Sequence, residues 1–118
     1  MKIRRGDILY VDLGTWTKGS IQGGLRPVIV VSNDKVNQYS TVLTIVPLSG
    51  RIYKKRNLPT HVFVSANYNS GLDRHSVALC EQVTALPYDR VITKFGSVNE
   101  RTLERIIQAV QIQIGVFG

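Results

Sequence analysis

The hydrophobic residues of this chain fall in short runs, and up to residue 96 those runs keep the two-residue period of strands. Residues 7–13, 27–32, 42–48, 61–66, 76–86 and 91–95 read as strands. Between them lie "GTWTKGSIQGG", "NDKVNQYS", "SGRIYKKRNLP" and "NYNSGLDRH", segments too polar or too rich in glycine to continue a strand. Such a succession predicts an antiparallel, strongly curled sheet. Only the C-terminal end changes period. Ser97 and Glu100 have the spacing of a capping box, and Leu103, Ile106, Ile107, Val110, Ile114 and Phe117 then recur on one helical face to the C-terminus. The expectation is a mainly β fold with a C-terminal helix.

With 118 residues, 43% of them apolar, and no repeat, linker or low-complexity stretch, the chain is expected to form a single domain over residues 1–118. Its apolar runs fall well short of the ~18 residues that cross a bilayer. The opening "MKIRRGDILYVDLG" places Asp7 and Asp12 where a signal peptide needs an unbroken apolar core. A cytoplasmic location without membrane contact is therefore expected. The single cysteine, Cys80 in "VALCEQV", reads as a small core residue rather than a reactive thiol.

Fifteen Lys and Arg against eight Asp and Glu leave a formal charge of +7, which directs a domain this small toward a polyanion, nucleic acid first. In "RIYKKRNLP", Arg51, Lys54, Lys55 and Arg56 surround Tyr53, a loop suited to gripping phosphates while the tyrosine stacks on a base. Several chemistries lack their signatures. There is no HExxH or paired CxxC spacing for a metal, the Gly23-Gly24 pair leads into no lysine and helix as a phosphate-binding loop requires, and no G-x-S-x-G turn offers a nucleophile. Polar residues at strand ends remain: Arg26, Ser49, His61 and, inside an apolar strand, Glu81 and Gln82. Strand alternation would put only one of that last pair on the core side. Arginine's fixed donors and a serine hydroxyl suit the stabilisation of charge on a phosphate. The Gln82 amide, both donor and acceptor, suits a base edge. Asp7 reads as a turn residue or the partner of a nearby arginine, and Trp16 as either a lid or a loop anchor.

The order "RRGDILYVDL", "GSIQGGLRPVIVVSND", "TVLTIVPLSGR", "LPTHVFV", "HSVALCEQV" resembles the MazF/PemK family of toxin endoribonucleases from Arg5 to about Phe117. Its most specific part is R-G-D followed by Q-G-G-x-R-P at residues 22–27. The resemblance implies a small twisted SH3-like barrel of the MazF/PemK (CcdB-like) type, a homodimer, a cognate acidic antitoxin of the MazE kind, and cofactor-free, metal-independent cleavage of single-stranded RNA at short sequences. It also implies that Arg26 is catalytic, with Ser49 as its hydroxyl partner at a position where many members carry threonine. Gln22, Gly23, Gly24, Arg51, Tyr53, Lys54, Lys55, His61 and Gln82 are the expected RNA contacts. With no activated side-chain nucleophile in the sequence, attack would fall to the 2′-hydroxyl of the RNA. A gyrase-poisoning toxin and a non-catalytic RNA-binding barrel remain open as alternatives.

Overall fold

The computed structural model describes residues 1–15, 21–51 and 58–116. Strands β1 (Asp7–Asp12), β2 (Leu25–Val30), β3 (Val42–Ser49), β4 (His61–Val64), β5 (Ser76–Leu79), β6 (Thr84–Pro87) and β7 (Val91–Ser97) form one antiparallel sheet in the order β4-β5-β3-β2-β1-β7, with β6 paired to β3. Helices α1 (Asp34–Tyr39) and α2 (Glu100–Gln113) complete it. Among the described residues no helix is long and apolar enough to cross a membrane.

The central strands β1, β2 and β3 are covered on both faces, and their successive residues enter different cores. Ile8, Ile29, Val46 and Leu48 join Val62, Val64, Ala78 and Cys80 with Ile106 and Ala109 of α2. Leu9, Val11, Val28, Val30, Leu43 and Ile45 pack on the other side with Ile3 and Leu86. This explains why "VIVV" and "TIVPL" are almost continuously apolar: in a strand buried on both faces neither parity can be polar. Cys80 is fully buried, and its thiol is pushed up to about 12 by burial and then by the charge of Glu81.

The barrel implied by the resemblance does not close. Among the described residues β4 and β7 end the sheet and share no ladder. The chain passes from β7 through Val98 and Asn99 straight into α2, which packs against β4 and the turn at Cys80–Gln82. A helix is about 10 Å across, whereas paired strands stand roughly 4.8 Å apart, so the helix joins these ends without a ladder. The strand expected over 76–86 is likewise broken, by a single 3₁₀ turn at Cys80–Gln82. Glu81 and Gln82 therefore do not alternate across a strand.

Local differences have local causes. Asn99, not Ser97, caps α2: its side chain accepts the Thr102 N–H at 2.8 Å, and Ser97 is the last residue of β7. The helix ends at Gln113 rather than running to the C-terminus. Gly115, at φ 82°, donates to the Ile112 carbonyl, and Val116 donates to that of Gln111, which is the Schellman arrangement. The short α1, inside the polar "NDKVNQYS", is held by its Asn33 cap and by buried Asn37, which is hydrogen-bonded to Ser32.

Candidate active site

The ladder between β2 and β3 pairs Val28 with Pro47, Ile29 with Val46 and Val30 with Ile45. The ladder ends there, with Arg26 two residues before Val28 and Ser49 two residues after Pro47, at the same end of the two strands. Arg26 is thus the second residue of β2, not a loop residue before it. Gly24 makes the entry, with φ 72°, its N–H on the Gly14 carbonyl at 2.7 Å and its carbonyl accepting from Leu13 at 2.9 Å. That left-handed conformation favours glycine strongly. The half-buried Arg26 guanidinium then donates through Nε to the Gly23 carbonyl at 3.3 Å and through Nη1 to the Leu48 carbonyl at 3.4 Å. Burial first, and the Arg51 charge second, lower its pKa from the ordinary arginine value.

Ser49 is buried at the end of β3, and its hydroxyl accepts the Arg51 N–H at 3.3 Å. This bond shapes the turn into Gly50 and leaves the O–H able to donate outward. Arg26 and Ser49 share one open groove of about 780 Å³ with Gln22, Gly23 and Arg51. Three arginines, Arg26, Arg51 and Arg74, face one carboxylate there, Asp73, so the wall is positive.

Of the RNA contacts expected from the sequence, the structure brings Gln22, Gly23 and Arg51 to this wall. Gly24 does not line the groove; its left-handed conformation makes the turn into β2. His61 and Gln82 lie elsewhere. His61 Nε2 meets Glu81 Oε2 at 2.9 Å, and Thr60 donates to the other carboxylate oxygen at 2.9 Å. Gln82 Oε1 accepts the Gln22 N–H at 2.7 Å, so Gln82 is tied to the segment leading into β2. Tyr53, Lys54 and Lys55, with Arg56, Trp16 and Phe117, lie outside the described residues. Asp7 accepts the Arg4 N–H at 2.7 Å and pairs with Lys94 at 3.0 Å, a turn residue whose partner is a lysine rather than an arginine. Among the described residues no three His, Cys, Asp or Glu side chains gather as metal ligands would.

Sequence reasoning passed over Tyr10, Phe95 and Arg74, all of which line the groove. Tyr10 and Phe95 read as ordinary strand residues. Arg74, in "GLDRH", carried no signal beyond its charge, and its stem occupies the space above Gly50 that a Cβ there would need.

A positive, open groove with an arginine held by two carbonyls and a serine hydroxyl in its wall has the donors that a phosphate of a polyanion would need. The sequence profile of the PemK-like, MazF-like toxins of type II toxin-antitoxin systems matches residues 4–114. The chain is 35% identical over 114 residues to the Endoribonuclease MazF of Staphylococcus saprophyticus, covering 97% of this chain and 92% of that one. It is 34% identical to the Endoribonuclease EndoA of Bacillus subtilis, with 98% and 97% covered. Its fold is similar to that of MazF from Deinococcus radiodurans, with a TM-score of 0.80 at 20% identity over 98% of each chain. The chain belongs to the PemK-like, MazF-like toxin family of type II toxin-antitoxin systems, and its class is that of the endoribonuclease toxins.

Proposed function

We propose that this toxin cuts single-stranded RNA, messenger RNA included, at short sequences, by attack of the RNA's own 2′-hydroxyl on the adjacent phosphate at Arg26 and Ser49. The observation that carries this is that Arg26 and Ser49 line one groove together with Arg51 and Arg74. In-line attack builds charge on the non-bridging oxygens of the phosphorane, and the Arg26 fork and the Ser49 hydroxyl are the donors at hand to meet it. The 2′-oxygen forms the new P–O bond as its proton passes to water, since the guanidinium is already protonated. The 5′-oxygen leaves with the electron pair of the broken bond and takes up a proton. Arginine is a reluctant proton donor, but burial and Arg51 both shift Arg26 in the direction that eases release. The products are a 2′,3′-cyclic phosphate, or a 3′-phosphate after hydrolysis, and a free 5′-hydroxyl.

As a toxin of a two-component system, the protein has an antitoxin for its partner. An acidic, partly disordered antitoxin segment lying along the groove would set carboxylates where the RNA phosphates go. The toxin acts in the cytoplasm, as one domain in a homodimer, with exposed Ile112, Ile114 and Val116 at the end of α2 among the surfaces available for self-association.

The deciding experiment is cleavage of an RNA oligonucleotide in which the one attacking 2′-hydroxyl is replaced by hydrogen. The expected outcome is loss of cutting at that bond with binding nearly unchanged, and full activity on unmodified RNA in EDTA. Cutting of the deoxy-substituted bond, or activity lost in EDTA and restored by magnesium, would sink the mechanism.

A further inference from the structure

The Arg26 and Ser49 chemistry leaves the aromatic end of the groove without a task. Tyr10 of β1 and Phe95 of β7 line it. Their ring centroids lie 5.3 Å apart and their planes are inclined by 19°, a stacked pair. Phe95 nonetheless keeps 39% of its surface exposed. Its position on β7 is irregular: Ile8 pairs with Gly96 and Leu9 with Lys94, so Phe95 has no opposite residue on β1. A bulge of this kind re-aims a side chain.

The bulge is held from behind. A Cβ on Gly71 would fall 2.1 Å from the Phe95 carbonyl oxygen, and one on Gly96 2.1 Å from that of Asn69. Only glycine permits backbones to meet so closely. Ser97 N–H donates to the Asn69 carbonyl at 2.9 Å, while Asn67 and Ser70 close the loop with reciprocal bonds at 3.0 and 2.9 Å. The same loop delivers Asp73 and Arg74 to the groove wall. The ring is therefore set before any ligand arrives.

We infer that the Tyr10–Phe95 pair is a stacking platform for one nucleobase of the RNA, next to the phosphate held at Arg26 and Ser49. This rests on the endoribonuclease reading of the groove and adds a subsite to it. Unpaired bases splay out onto aromatic faces, and a flat ring beside arginines offers a nucleotide both of the contacts it needs. Every base has a π-face, so the platform fixes the pose of the strand rather than the identity of the base.

The test uses RNA made uncleavable by the single 2′-deoxy substitution, with each nucleotide near the bond replaced in turn by an abasic one. Wild-type protein should show one position at which base removal weakens binding about tenfold or more. Phe95→Leu, which keeps an apolar side chain without a π-face, should bind the intact oligonucleotide more weakly by a similar factor and lose nothing further at that abasic position; Phe95→Tyr should restore the sensitivity. Equal abasic penalties in wild type and Phe95→Leu, or no sensitive position at all, would overturn the platform. Arg26→Lys separates this from the reading beneath it: lost cleavage together with a scan indifferent to Phe95 refutes the platform alone, whereas normal cleavage by folded Arg26→Lys refutes the reading of the groove itself.

Discussion

Arg26 combines two properties that rarely meet in one side chain: a permanent charge, and a position inside a sheet. Two carbonyls hold the guanidinium, and the serine at the end of β3 lines the same groove, so charge and direction are both fixed by the fold. Arg26→Lys keeps the charge and loses the planar fork, and is expected to abolish most cleavage without altering the melting temperature. Ser49→Ala should lower kcat roughly ten- to a thousandfold, the range for loss of one donor to a developing oxyanion. Single-turnover cleavage with circular dichroism of each variant checks both. A loss below about threefold for Ser49→Ala, well under that range, would reduce Ser49 to the turn residue that its bond to Arg51 also makes it. The arginine was legible in the sequence because glycines and proline bracket it. Phe95 was not, since a bulge arises from the pairing of two distant segments and leaves no mark on either.

The elements follow the same division. Strand periodicity located β1, β2, β3, β4 and β7 to within a few residues, and in β1, β2 and β3 burial on both faces wrote long apolar runs. It missed the 3₁₀ turn at Cys80–Gln82, where Cys80, buried like a strand residue, hides the break. It also missed α1, too short for a helical period to show. At the start of α2 the spacing of Ser97 and Glu100 competed with Asn99, and the structure settled on the residue directly before the first helical turn. Asn99→Ala should therefore cost about 1 kcal/mol of stability, read as a lower urea midpoint, while Ser97→Ala should leave the α2 cap untouched. An unchanged midpoint for Asn99→Ala would mean that water serves the Thr102 amide equally well.

On the scale of the whole molecule the sheet is an open path bent around a helix, and β3 is its most heavily paired strand, bonded to β2, β5 and β6. Among the described residues β4 and β7 each have one strand neighbour. Amide hydrogen exchange under native conditions should divide along that line. The inner amides of β3 should exchange only through global unfolding, and the outward amides of β4 and β7 through local opening at a lower free energy. Equal protection of β7 and β3 would contradict it. Ser49 ends the most heavily paired strand, whereas Phe95 rides an edge strand held by β1, by the Lys94–Asp7 pair and by the loop at Gly71. The groove thus spans two expected lifetimes: Ser49 at the end of a strand that opens only with the whole fold, and Phe95 on an edge that opens locally and more often.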